Sequence, residues 1–351
     1  MMAFLLVLLM TEDPSFQLAI VRQLDPVPET ENAFLEQPRD IAIDRQGRWL
    51  ILDLTARRIF AWDRNGTFLR TAGQEGQGPG EFNFRASMGG SQGFIDAVDG
   101  WVLVYDGGNR VIHIFDENLV FRKLIRFNLP QGRVLSFRAL AEKRFLIFNS
   151  SFTAEEPFRQ IALYGEQPIS EKVIVKASIQ TWRYANRNRS GVIRHIYSPS
   201  LFMHYDRTTN QMIIGNSARA EFSVYDSRGD LSNTVSFAVP RIPVTEADIR
   251  EYDEQEWLKR NRFFTAEYPE NKAYYDKIYP VGDRGYLIFN ESPVTRNCQG
   301  YWIDRQGGVV GRFTFEPGEG GRLLAANGRI IAVTTNEEGM FSIAELKPEL
   351  P

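Results

Sequence analysis

Seven arginines and one carboxylate are the side chains in this sequence best suited to chemistry. Arg39 and Asp40 stand together at the head of an apolar run, Arg57 and Arg58 are adjacent, and Arg110 follows Asn109. Arg183, Arg187 and Arg194, with His195 directly after the last, lie in a stretch from Lys172 to Tyr205 that contains no Asp or Glu. Trp182, Tyr184 and Tyr197 are interleaved with these bases. A guanidinium offers a planar fork of donors that pairs bidentately with carboxylate or phosphate. The chemistry this set offers is therefore anion recognition, with an anionic small molecule, a glycan or a peptide as partner. The plainer alternative makes the stretch a solvated loop and lets the other arginines brace turns against acids such as Asp53 and Asp106.

Signatures of catalysis are scarce. No GxSxG, HExxH or EF-hand pattern occurs, and Gly73–Gly80 lacks the Lys-Ser/Thr of a phosphate loop, so it reads as a structural loop. No catalytic residue, cofactor or metal ligand is expected. Calcium or zinc enters only with an alternative reading, a metal-dependent hydrolase or lyase.

Composition bounds the answer further. The chain has 351 residues, a net charge of −3 and a single cysteine, Cys298, which excludes an internal disulfide and a cysteine-based zinc site. The mild acidity argues against a general nucleic-acid-binding surface. Aromatic content of 13% and 28 glycines favour an all-β chain with many turns.

The elements that must position the arginines show between Pro38 and Phe82. The runs IAI, WLIL, RIFAW and FLRTAG form an antiparallel meander, with Asp-x-x-Gly turns at Asp44–Gly47 and Asp63–Gly66. Asp opens such turns by accepting nearby backbone N–H groups, and Gly closes them by tolerating positive φ. The pattern recurs with Asp116, Gly165, Asp226 and Asp304 at the matching point, and a last run, MFSIAELKP, ends the chain. Six copies result, the last one strand short. The unpaired segment Phe16–Asp25 supplies the missing strand and closes the ring without an open edge. The third runs, such as VIHIF, are apolar on successive residues, as in strands covered on both faces.

Pro38-Arg-Asp-Ile-Ala-Ile-Asp44, Gly47, Leu50-Ile-Leu-Asp53, Arg58-Ile-Phe and Asp63-x-x-Gly66 resemble an NHL-type repeat, and GQGPGEF at Gly76–Phe82 resembles the loop between its blades. Asp106, Asn109 and Arg110 keep the matching turn in the second copy. The resemblance covers about residues 38–120 and implies a six-bladed β-propeller of four-stranded antiparallel blades. Such propellers include recognition domains, lyases, lactonases and exported proteins, and some NHL domains bind RNA, so the resemblance is specific for fold and weak for function. Lyase-like members use several axial histidines on zinc, and lactonase-like members use axial acids and amides on calcium. Asp40 alone is placed for the latter.

The expected organisation is a propeller over residues 13–351, with blades at 38–73, 91–128, 134–177, 198–240, 275–315 and 320–348 joined by 16–25. Residues 1–12 read as the remnant of a secretory signal, placing the protein in the periplasm or outside the cell; a frayed apolar tail in a cytoplasmic protein is the alternative. Two insertions interrupt the rhythm. Lys172–Tyr205 is expected to be irregular. Thr245–Lys277 is expected to hold a helix of two or more turns, with Thr245 and Asp248 as a capping box and acids before bases as the helix dipole favours. The expected function is non-catalytic binding of a ligand or protein, with an anion site on one face.

Overall fold

The aspartate turns recur with one geometry. In each of Asp44, Asp63, Asp116, Asp226 and Asp304, one carboxylate oxygen accepts the N–H groups of the second and fourth residues that follow. The bonds from Thr67 and Asp230 hold the Asp63 and Asp226 carboxyls below their ordinary range. Gly73 turns the chain at φ +85°, where an added Cβ would stand 2.3 Å from the Phe82 ring.

The structure is a computed structural model and describes residues 14–31, 33–85, 92–126, 132–151, 157–165, 171–178, 182–186, 189–260, 264–318 and 320–349. Six four-stranded antiparallel sheets form the blades of a propeller. The inner strands are Pro38–Ile43, Gly93–Val98, Arg133–Ala141, Leu201–Asp206, Lys277–Pro280 and Arg322–Ala326. In blade one, Trp49–Asp53 and Arg58–Trp62 are buried almost throughout, whereas the outermost strand of blade two, Phe121–Arg126, alternates between half-buried and exposed. Middle strands covered on both faces and outer strands wetted on one are what blades stacked around an axis require. Apolar clusters fill the interfaces between blades one and two, two and three, three and four, four to six, and six and one.

The N-terminal strand closes the ring as expected. Gln17–Gln23 pairs antiparallel with Phe341–Glu349, matching Ile20 to Leu346, and becomes the outer strand of blade six. The segment also reaches both neighbours. Phe16 donates its N–H to Arg312 O (3.0 Å) and packs against Trp302 and Phe313 of blade five. Trp62 Nε1 of blade one donates to Asp25 O at 2.8 Å.

The insertions differ from expectation in form. Glu171–Ser178 is the fourth strand of blade three and Leu201–Asp206 the inner strand of blade four, so the first insertion is shorter than Lys172–Tyr205. What remains is not irregular: Trp182–Asn186 and Arg189–His195 form a hairpin, and the latter pairs in parallel with Phe264–Glu267 of the second insertion. Lys172 pairs with Asp230 at 2.8 Å, and Lys176 lies over the Phe158 ring, so neither serves an anion loop. The second insertion carries α1 (Glu246–Asp253) and α2 (Glu256–Arg260), and α1 starts in the expected capping box of Thr245 and Asp248. Residues 1–12 and Arg187 lie outside the described residues.

Removing residues 1–26 takes away the buried side chains Phe16 and Leu24, exposes the Trp302 and Phe313 rings that Phe16 covers, and frees the edge of Phe341–Glu349. The melting midpoint should fall by about 10 °C or more. Scanning calorimetry of the truncated and full chains checks this, and equal midpoints would show that the strand contributes nothing to closure.

Candidate functional site

Inner strands start, and second strands end, at the same end of each blade, as the pairings of Pro38 with Asp53 and Lys277 with Phe289 show. The starts of all six inner strands line a cup of ≈ 500 Å³ on the axis at that end. Its floor is a buried ion pair. Arg138 Nη1 lies 2.8 Å from Asp40 Oδ2, and Arg138 Nη2 lies 3.1 Å from Oδ1; Asp40 also accepts the Ile95 N–H at 3.0 Å. Beneath it Arg207 donates to Asp96 Oδ2 (2.8 Å) and to Ala139 O (2.6 Å), while Asp96 accepts the Ala139 N–H. Asp40 thus ties blade one to blades two and three, and Asp96 ties blade two to blades three and four. Between Arg138 and the lower pair lies a void of only ≈ 10 Å³.

The wall carries cations that lack such partners. Burial, followed by the charges of Arg39 and Arg296, lowers the Arg322 guanidinium to about 10. Arg39 is lowered as well, by burial and then, against the pull of Asp40, by Arg296 and Arg133. The Nε atoms of Arg322 and Arg159 are buried without a hydrogen-bond partner; Arg159 donates through Nη1 to Ser200 Oγ. Glu291 is the wall's counter-ion, 3.8 Å from Arg296 and 4.0 Å from Lys277. Asp276 accepts the Glu291 N–H, and burial pushes its carboxyl up to about 6. His204 is held neutral, its pKa brought down to about 3 by burial and then by Arg138, and its ring lies 5.7 Å from that of Tyr279. Burial raises the Cys298 thiol, which keeps it protonated.

The helical insertion supports this wall. Glu251 of α1 accepts the Ser292 hydroxyl (2.6 Å) and the Thr295 N–H (3.0 Å), bracing the turn that presents Arg296 at φ +65°. Lys272 pairs with Asp248 at 2.8 Å and sits over the Tyr197 ring, which joins α1 to the chain leaving the first insertion.

Of the arginine set read from the sequence, the structure brings Arg39 and Asp40 into the cup. Arg57, Arg58, Asn109 and Arg110 stand at the same end of blades one and two but outside the lining. They do not brace against Asp53 and Asp106 as charges. Asp53 is fully buried and accepts four backbone N–H groups, from Glu36, Gln37, Thr55 and Ala56. Asp106 accepts those of Asn83, Gly108 and Asn109 and the Asn109 side chain. Arg57 pairs with Glu75 instead, and Arg58 with the Thr71 hydroxyl. Arg183 and Arg194 lie on the hairpin strands of the first insertion. His195 faces Glu267 at 3.5 Å and does not line the cup. His113 is buried but not hydrogen-bonded: Asp106 is 3.6 Å from its Nε2, and Phe82 and Phe121 enclose the ring.

Sequence reasoning missed Arg138, Arg159, Arg296, Arg322, Asp276 and Glu291. One signal was present: Arg322 opens the inner run of blade six much as Arg39 opens that of blade one. Among the described residues no three His, Cys, Asp or Glu side chains gather as a metal site. Among those residues no helix is long and apolar enough to cross a membrane.

No family model matches the sequence, and no curated protein is significantly similar to it. The chain is similar in structure to a protein from Bacteroides fragilis described as exported, at 11% identity, with 95% of each chain covered and a TM-score of 0.56. It is also similar to a member of the DUF4221 family from Bacteroides vulgatus, at 11% identity over 97% of this chain and 100% of the other, with a TM-score of 0.54. A PQQ-bound aldose sugar dehydrogenase from Streptomyces coelicolor reaches 12% identity over 96% and 100% of the two chains, with a TM-score of 0.49. At these identities the likeness to the two Bacteroides structures shows the propeller fold alone.

Two variants check the electrostatics. Asp40→Ala leaves Arg138 buried without its counter-ion and should cost about 3–5 kcal/mol in urea unfolding; a loss below 1 kcal/mol would mean that water replaces the carboxylate. Asp276 has a folded pKa of about 6, raised above that of an unfolded Asp, about 3.9. The proton therefore lends stability that is complete below about pH 4 and lost as pH rises through 6. Asp276→Asn stays neutral, so the variant should gain on the native protein between pH 4 and 7. A constant difference across that range would contradict the shift.

Proposed function

We propose that this protein is a non-catalytic, NHL-like binding propeller that works outside the cytoplasm and holds an anionic small molecule in its axial cup. One observation carries the reading. Arg39, Arg296 and Arg322 line one wall, burial first and neighbouring arginines after it lower the Arg39 and Arg322 guanidinium groups, and the buried Nε of Arg322 has no partner. Buried cations in mutual repulsion gain most from a shared anion, and a guanidinium fork suits carboxylate or phosphate. The floor adds no net charge because Arg138 and Asp40 cancel. Arg39 and Asp40 keep their place in this site from the sequence reading. Arg57, Arg58, Asn109 and Arg110 stand farther out on the same face, where they serve as a rim that steers anions inward. Arg183, Arg187, Arg194 and His195 of the first insertion stay in the proposal as the sequence reading gave them, as further anion-binding residues. The extracytoplasmic location draws on the apolar run from Ala3 to Met10 and on the exported description of one similar structure.

Titration calorimetry at low ionic strength, with inorganic phosphate and small carboxylates, tests the site. Arg39→Gln combined with Arg322→Gln should weaken binding at least about tenfold, in line with a lost charge-assisted contact. Equal affinity in a variant that melts like the native protein would remove the cup as the anion site.

A further inference from the structure

The inner strands do not contribute alike to the cup. The last paired residues of five of them are Ile43, Val98, Asp206, Pro280 and Ala326. The fourth residue before each is Arg39, Phe94, Phe202, Asp276 and Arg322 in blades one, two, four, five and six. All five line the cup. At this one depth the charged groups therefore occupy blades five, six and one, and aromatic rings occupy blades two and four. The inner strand of blade three has two register irregularities and lines the cup with Leu135 and Ser136. Phe148 and Met203 extend the apolar side. Phe94, Phe148, Phe202 and Met203 retain 6–8% exposure, whereas Ile95, Phe137 and Ile147 behind them retain none. Of the cations from blade three, Arg138 is held by Asp40 on the floor and Arg159 is bonded to Ser200.

We infer that the ligand is an anion with an apolar body, its head against Arg39 and Arg322 and its hydrocarbon or aromatic portion against Phe94, Phe202 and Leu135. This rests on the cup being the anion site proposed above. A wholly hydrophilic anion satisfies the guanidinium wall and leaves the opposite wall wet. A ligand with an apolar body also gains from burial there, at about 25 cal/mol per Å² of apolar surface. A cavity of ≈ 500 Å³ fits one small molecule of this type.

Calorimetry on the full chain with hexanoate, hexyl phosphate, gluconate, glucose 6-phosphate and inorganic phosphate decides the matter. The expected result is that each hexyl compound binds about tenfold or more tightly than the sugar anion with the same head. The tighter of the two hexyl compounds tells a carboxylate ligand from a phosphate. Leu135→Ser, at a half-buried position, should cut the hexyl preference about threefold or more and leave affinity for inorganic phosphate unchanged. Sugar anions that bind as tightly as their hexyl counterparts would overturn the apolar-body inference while leaving the anion site standing. An unchanged hexyl preference in a Leu135→Ser protein of native melting temperature would overturn it too. If none of the five probes binds, the anion site itself falls, and this inference with it.

Discussion

Two guanidinium–carboxylate pairs, Arg138 with Asp40 and Arg207 with Asp96, occupy the axis around which the blades are arranged. Each carboxylate also accepts an N–H from the inner strand of the next blade, Asp40 from Ile95 and Asp96 from Ala139. A charge buried this far must be matched closely, because desolvation cancels much of the attraction and a mismatch leaves an unpaired ion. The pairs therefore act more as a register than as a source of stability. They fix how blades one to four meet at the centre, and the upper pair makes the floor of the cup. The cup inherits its depth from the upper pair and its charge from what that pair leaves over, Arg39 and Arg322 of blades one and six beside the Arg296–Glu291 pair of blade five.

The insertions leave the ring between blades three and four and between blades four and five, on the end where the cup opens. They are joined to each other by the parallel pairing of Val192–His195 with Phe264–Glu267. They are joined to blade five by Glu251, whose carboxylate holds the 292–295 turn. A helix far along the chain from the inner strands thus sets the position of Arg296, a wall residue. The arrangement separates two tasks. The blades supply a rigid ring, and the added segments adjust one side of its mouth.

The ring was legible in the sequence because its signals are local. An Asp at the end of a strand needs only the next four residues to form its turn, and successive apolar residues report burial on both faces wherever they occur. The bracketing of Phe16–Asp25 with the last blade followed from counting strands. The cup was less legible because it is assembled at one depth from six distant runs. Arg39 was noticed beside Asp40, but Arg322 and Asp276 share its level only once the hairpin registers are known. Arg138 reads in sequence as a break in an apolar strand, and only the position of Asp40, on another blade, gives it meaning. The first insertion was misread because its second strand, Arg189–His195, pairs with a segment far along the chain, and no local pattern announces a parallel partner at Phe264–Glu267. Asp53 and Asp106 were misjudged for a different reason: a carboxylate near arginines invites pairing, yet both are saturated by backbone N–H groups nearer at hand.

The N-terminal strand has a consequence for how the molecule comes into being. Gln17–Gln23 finds its place only beside Phe341–Glu349, the last strand of the propeller. Contacts between the two ends of a chain close the longest loop that chain can make, and topologies of this kind fold slowly. Blades one to five each draw all four strands from one stretch of chain, but the seam between five, six and one stays open until Gln17–Gln23 and Phe341–Glu349 meet. The ring therefore cannot close until Phe341–Glu349 has been made, and the first strand of the propeller must wait for its last.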